Sequence, residues 1–498
     1  MNATRGSSPR LYTAALLLGA VVPSVARADE AADPAKTPPA TATPPATATP
    51  PPRAADAAST PTGRFEFGSY GRVHIASDLR GGTGRKANVV AHGTRIDEDD
   101  YAELELRRED TFRGEVKSRV VATLALFGPF FHFTGKVPDQ LAVRNLYAQG
   151  TYKGVSVWAG ARMYRGDDIY LLNWWPLDNQ NTIGGGAFGT LTDSGERDGP
   201  PRYETVLAVH VGQQRLDNPF QFQKTPVVAP SNGFGTVDVV KLDRPRMVET
   251  LKLTQHIRDG RGGFKAALYG EAHQLAAGVY RDTLTNQDRG LPDDQGFLFG
   301  SQLTYYTGER DTYASLWLRH ARGLAAYDPL AVPQTFANDR TTSGTTETTI
   351  AFATNFERES FGVLGAAYLR FFRDGSGSVL SPQKYDEGTA VVRPQLYFHE
   401  HFGLAAEASY QARRLGVLDK AADAPVTASV IRGAVIPYFS LTGKGSFKRP
   451  QIYAIYALAS RDAGARSLYA AEDVFSTRKL EHYAGLGAEW WFNSSSYP

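Results

Sequence analysis

Two short segments pair an aromatic ring with an ion at a spacing of two residues: Tyr70 with Arg72, and Tyr101 with Glu103. In a β-strand, residues two apart point the same way, so each ring and ion would stand side by side on one face. Such a wall suits a carbohydrate. A pyranose has C–H faces that stack on flat rings and hydroxyl edges that bond to guanidinium or carboxylate groups. A second group, Arg162, Arg165, Asp167, Asp168 and Asp178, is interleaved with Trp158, Trp174 and Trp175. Three tryptophans are out of place in a solvated loop, so this segment is expected to turn into an enclosed space.

Other chemistries are poorly supplied. The run Asp97-Glu98-Asp99-Asp100 offers carboxylates, and a glycosidase needs two roughly 5–9.5 Å apart. The run directly precedes Tyr101 and reads as part of an extracellular loop. Gly184-Gly185-Gly186 is followed by neither a helical pattern nor a correctly placed P-loop lysine, and reads as a flexible loop. His399 and His401 flank Glu400 in a tight turn, which suits a surface turn better than a metal site. There is no cysteine, so zinc-thiolate sites and cysteine nucleophiles are excluded. No Ser, His and Asp set has nucleophile-elbow spacing. The expectation is a protein that is not an enzyme and uses no cofactor and no metal.

The elements that must position these residues alternate with period two. Phe65, Phe67, Val73 and Ile75 share one parity, and Tyr70, Arg72 and His74 the other. Ala102, Leu104 and Leu106 oppose Tyr101, Glu103, Glu105 and Arg107 in the same way. Val155, Val157, Ala159, Ala161 and Met163 oppose Ser156, Trp158 and Arg162. Further strand-like runs cover 203–212, 247–256, 264–273, 296–306, 312–320, 346–356, 361–371, 389–398, 402–411, 429–441, 449–461 and 481–492, with a weaker one at 186–191. About eighteen strands are expected, each near the ~10 residues that a tilted strand needs to cross a bilayer. Short connections at 153–154, 357–360, 399–401 and 443–448 contrast with long ones at 81–100, 373–388 and 462–480, as in an outer-membrane barrel. In the last strand Leu486, Ala488, Trp490 and Phe492 would face lipid, and a short frayed tail, 493–498, would follow.

Composition agrees. A mean hydropathy of −0.33 excludes a bundle of transmembrane helices, while a water-filled barrel has exactly one oily face per strand and averages polar. The 49 Gly, 26 Phe and 24 Tyr favour strands, turns and aromatic surfaces. A net charge of +2 gives no electrostatic case for a nucleic-acid partner.

The N-terminus has Arg5 and Arg10, an apolar stretch from Leu11 to Val22, and small residues before Ala28. Residues 1–28 read as a cleaved signal peptide, and export to the outer membrane of a bacterium is expected. Residues 29–63 are an Ala, Thr and Pro near-repeat, read as a disordered periplasmic spacer. One barrel domain, 64–498, is left.

The segments Gly68-Ser69-Tyr70-Gly71-Arg72, Trp158-Ala159-Gly160-Ala161-Arg162-Met163-Tyr164, Phe447-Lys448-Arg449-Pro450 and Glu489-Trp490-Trp491-Phe492 occur in an order and spacing that resembles the maltoporin family of sugar-specific outer-membrane porins. The resemblance implies an all-β, 18-stranded antiparallel transmembrane barrel with an inward-folded constriction loop, assembled as a homotrimer in outer-membrane lipid and passing oligosaccharides. It places Tyr70, Tyr101, Phe447 and Trp491 on an aromatic slide, Phe447 standing where the family has Trp. It places Trp175 where the family has a constriction tyrosine. Arg72, Arg95, Arg144 and Asp168 match the polar track. Asn173 stands for a family aspartate, and Arg165 substitutes for an arginine expected at Gly166. With Glu103, Arg162 and Asp178 these complete the expected substrate-binding set. Two alternatives stay open: a general or differently selective porin, and a secreted β protein that binds or hydrolyses carbohydrate.

Overall fold

The computed structural model describes residues 62–128, 141–195, 200–229, 235–308, 311–333, 336–337, 339–377, 381, 383–419 and 423–494. The expected signal peptide and most of the expected spacer lie outside the described residues. Thr62 and Gly63, assigned to the spacer, already belong to the first strand.

The strands are β1 (Thr62–Ser77), β2 (Tyr101–Thr111), β3 (Lys117–Phe127), β4 (Leu141–Tyr152), β5 (Val155–Arg165), β6 (Asn179–Asp193), β7 (Tyr203–Gln214), β8 (Phe222–Val228), β9 (Thr236–Asp243), β10 (Arg246–Asp259) and β11 (Gly262–Leu275). They continue with β12 (Gly278–Asp282), β13 (Gln287–Leu291), β14 (Asp294–Tyr306), β15 (Tyr313–Gly323), β16 (Thr346–Glu357), β17 (Phe361–Arg373), β18 (Tyr385–Tyr397), β19 (Phe402–Asp419), β20 (Ala424–Ser440), β21 (Gln451–Arg461) and β22 (Leu480–Phe492). Eighteen of them form one antiparallel sheet. It closes where β1 pairs with β22, from Ser69 opposite Phe492 to Ser77 opposite Ala484. Closure leaves no open edge, which is what a spanning sheet requires in hydrocarbon. The hairpins β8–β9 and β12–β13 stand outside this sheet as two separate ribbons.

Each strand turns one parity outward. Phe65, Ile75, Leu268, Phe299, Ile431 and Leu486 are among the most exposed apolar residues, while Tyr70, Arg72, Glu103, Glu105 and Glu489 on the opposite parity are buried. Phe67, Tyr203, Phe264, Tyr305, Phe356, Phe361, Phe402 and Phe492 are exposed near strand ends on the short-turn side. Phe127, Phe297 and Phe371 are exposed near the other ends. These are two aromatic girdles. Phe361 and Phe371 are ten residues apart on β17, and at ~3.3 Å per residue with a tilt of ~40° the girdles stand about 25 Å apart, the height of an outer-membrane apolar band.

Most connections sort by end as expected, short at 112–116, 153–154, 260–261, 307–312, 358–360 and 398–401, long at 78–100, 166–178, 215–245, 324–345 and 462–479, whereas β19 and β20, on the long-loop side, are separated only by 420–423. Two expectations need correction. Gly184, Gly185 and Gly186 lie inside β6, not in a loop. A Cβ at Gly184 would come within 2.1 Å of the Val211 carbonyl oxygen, so the close approach of β7 requires glycine there. The connection after β20 spans 441–450 and is packed, its Ser446 accepting from Gln395 at 3.0 Å and its backbone N–H donating to Glu357 at 3.2 Å. The run 97–100 lies in the long connection 78–100, with Asp97 buried and paired with Arg432 on β20 at 2.9 Å while Asp99 is exposed.

Candidate functional site

Loop 166–178 is closed at its base by the Gly166 N–H donating to the Asp178 carbonyl at 2.7 Å. From there it touches inward faces of strands that are not its neighbours. Asp167 pairs with Lys265 of β11 at 2.7 Å and accepts from Gln302 of β14 at 2.5 Å. Arg319 of β15 donates to the Pro176 carbonyl at 3.2 Å. Tyr170 donates to Glu489 of β22 at 3.0 Å. A 3-10 turn at Tyr170–Leu172 ends on Asn173, whose left-handed backbone (φ 46°) is a conformation that asparagine tolerates better than most residues.

Loop 78–100 also lies against the inner wall. The Val89 N–H donates to Gln411 of β19 at 3.1 Å, the Ala91 N–H to Glu387 of β18 at 3.2 Å, and the His92 N–H to the Tyr368 hydroxyl of β17 at 3.2 Å. The His92 ring stacks on Trp174 with centroids 4.3 Å apart. Around that contact Val89, Val90, Ile169, Leu171, Leu172 and Leu177 join Ala325 and Ala326 of a third loop in one buried apolar cluster. More than one loop therefore packs within the barrel. Burial pushes the His92 imidazole down to about 3, with Arg370 and Arg319 acting in the same sense and Asp328 opposing.

The expected slide residues are brought together. Tyr101 and Tyr70 have ring centroids 5.8 Å apart, and Tyr70 and Trp491 lie 6.4 Å apart with planes at 20°. The row continues through Tyr170, 6.2 Å from Trp491, to Phe447 at 5.3 Å and on to Tyr313 at 6.4 Å. Tyr170 and Tyr313 were not anticipated: one sits in a loop with no periodic pattern, and the other opens a strand next to a turn. Tyr70, Tyr170, Trp175, Tyr313, Phe447 and Trp491 line one cavity of about 390 Å³ together with Arg95, Asp168 and Asn173. Arg165 covers the Trp175 ring, its guanidinium carbon 3.6 Å from the centroid.

Ions border this row. Arg72 and Arg95 each donate to the Tyr70 hydroxyl at 2.9 Å, and Arg72 also pairs with Glu98 at 3.1 Å. Arg95 lies 4.2 Å above the Tyr170 ring and pairs with Glu489 at 2.6 Å. Burial opposes the Arg95 charge, but Glu489 and the other acidic groups around it hold its pKa well above the usual value. Glu103 pairs with Arg144 at 3.0 Å, and both bond the Tyr101 hydroxyl. Arg449, not anticipated, lies 4.4 Å from the Trp491 ring and pairs with Glu489 at 2.8 Å. The signal for Glu489 was its shared parity with Trp491. Burial raises the Asp168 carboxyl pKa, partly offset by Arg95. Arg162 and Asp178 do not line this cavity; with Arg165 they line a separate one, beside Tyr164 and Lys252.

A closed 18-stranded antiparallel barrel with an apolar exterior, aromatic girdles and loops packed within is the architecture of an outer-membrane porin. The chain belongs to the LamB porin family, whose model matches residues 65–195 and 251–492. Similar solved structures include OccAB1 of Acinetobacter baumannii, with 11% identity, 86% of this chain and 96% of that chain covered, and a TM-score of 0.45. OpdK of Pseudomonas aeruginosa, solved with vanillate, has 12% identity, 86% and 98% coverage and a TM-score of 0.40. An anion-selective porin from Comamonas acidovorans has 13% identity, 87% and 100% coverage and a TM-score of 0.38. No curated protein matches the chain.

Proposed function

We propose that this porin is a passive, carbohydrate-selective channel that guides maltodextrins or other oligosaccharides along the aromatic row, as a homotrimer exported by a cleaved signal peptide. The observation that carries the reading is the continuous series Tyr101, Tyr70, Trp491, Tyr170, Phe447, Tyr313, bordered by Arg72, Arg95, Glu103 and Asp168. Ring faces take the C–H faces of successive sugars, and charged groups bond the hydroxyl edges. Asp168 accepts from no other side chain among the described residues and faces the cavity, so its oxygens are open to a hydroxyl donor. Equivalent contacts repeated along the wall let a chain advance by exchanging one for the next, and no step needs ATP or an ion gradient. Favourable entry with easy exit is the general condition for conduction.

The reading is tested by Tyr101→Ala in planar bilayers. Loss of one ring contact, worth ~0.5–1.5 kcal/mol, weakens maltohexaose block by up to about tenfold while open-channel conductance changes by a much smaller factor. Equal changes in both would mean that Tyr101 only sets the width of the pore.

A further inference from the structure

We propose that the cavity behind loop 166–178 is a binding site for a small oxyanion, a phosphate or a carboxylate, separate from the aromatic row. It has a volume of about 220 Å³ and is lined by Asn145, Tyr147, Arg162, Tyr164, Arg165 and Lys252 among others, with no lining residue in common with the 390 Å³ cavity. The base of the loop, Gly166 to Asp178, lies between the two.

Its charges do not cancel. Asp178 is the one carboxylate among the described residues that line it, and Lys252 holds that carboxylate at 2.8 Å. Arg165 is engaged over Trp175. Arg162 makes no ion pair or hydrogen bond among the described residues, and its Nη1 is buried without a partner. Its guanidinium is instead enclosed by three rings, 4.7 Å from the centroid of Tyr147, 5.0 Å from Trp158 and 5.3 Å from Tyr164. Trp158, Tyr164 and His210 stack nearly parallel behind it, with planes within 16° of one another. Rings hold the cation in place and leave the Nη1 group without an acceptor. An oxyanion supplies the missing acceptors: a buried donor left unmade is costly, and a guanidinium bonds a carboxylate or phosphate in a two-point fork. Asn145, whose amide already donates to Thr123 at 3.0 Å, lines the same cavity.

The oxyanion comes either from free phosphate or from the carboxylate of an acidic sugar, and calorimetric titration of the purified full-length porin in detergent at constant ionic strength separates the two. Sodium phosphate and sodium glucuronate are the probes, with glucose as the neutral control. The expected result is saturable binding of one or both anions and none of glucose. Arg162→Gln lowers the affinity at least tenfold, Arg162→Lys restores part of it, and His399→Gln, in the exposed turn 398–401, leaves it unchanged. Folding of each variant is checked by the mobility shift of the barrel on gels between unheated and boiled samples. Saturable binding to neither anion, or binding that is undiminished in a folded Arg162→Gln porin, overturns the proposal. Neither result depends on whether maltodextrins block the channel, so the two readings fail separately.

Discussion

At the scale of single residues, Glu489 joins the parts of the site. Its carboxylate is buried and takes Arg95 at 2.6 Å, Arg449 at 2.8 Å and the Tyr170 hydroxyl at 3.0 Å. One acidic side chain thus ties a strand to loop 78–100, to loop 166–178 and to the connection 441–450. Removing a buried counterion leaves its partners desolvated and unpaired, at a cost of ~3–5 kcal/mol. Glu489→Gln is therefore expected to lower the unfolding free energy by about that amount, read from urea titration of tryptophan fluorescence; a loss under ~1 kcal/mol would show that the lumen water already screens the pair. Of these residues, the sequence made Tyr70, Tyr101, Arg72, Glu103 and Trp491 legible because parity on a strand ties ring to ion. Arg95, Phe447 and Asn173 came only through resemblance, since each lies in a loop where no period fixes direction. Tyr170 was not legible by either route.

At the scale of elements, the strands follow from period two, and sixteen of the eighteen barrel strands coincide with runs that alternate in the sequence. The two that do not, β3 and β4, hide their pattern for different reasons. In β3, Val121 and Ala125 pack inward while Val120 and Leu124 face outward, so both parities are apolar. In β4 a register shift opposite Thr123 and Leu124, where Asn145 is followed by Val143, interrupts the alternation at Arg144. The packing of loops within the barrel depends on contacts between residues far apart in sequence, such as His92 with Trp174, and leaves no local signature. That contact also has a pH dependence. Packed His92 titrates at about 3, against ~6.5 for an exposed imidazole. Between those values the opened loop binds a proton that the packed loop does not, so packing weakens as pH falls below ~6.5 and is fully restored above it. Amide exchange of residues 87–93, corrected for intrinsic rates, is expected to be faster at pH 4.5 than at pH 7, and His92→Gln to remove most of the difference. Identical protection at both pH values in the unmodified protein would contradict the assignment.

At the scale of the whole molecule, a mean hydropathy of −0.33 and an exposed coat of Phe, Leu and Ile are consistent because a barrel puts one face of each strand in lipid and the other on a polar interior. Closure, the girdles and the sorting of long from short connections together define the porin architecture, and the family match extends over most of it. The stretch from 196 to 250, which the family model leaves unmatched, contains the barrel strand β7 as well as the ribbon β8–β9, so this chain departs from the family pattern in part of the wall and in the loop that follows it. The proposed homotrimer makes a simple prediction for unheated, detergent-solubilised protein: migration at three times the chain mass, collapsing to one on boiling, whereas migration only at monomer mass would rule it out. The central claim concerns the aromatic row. Single-channel conductance in planar bilayers with added linear maltodextrins tests it most directly: the structure predicts concentration-dependent block that tightens from maltose to maltohexaose as more rings are engaged, and an open-channel current unaffected by any of these oligosaccharides would contradict it.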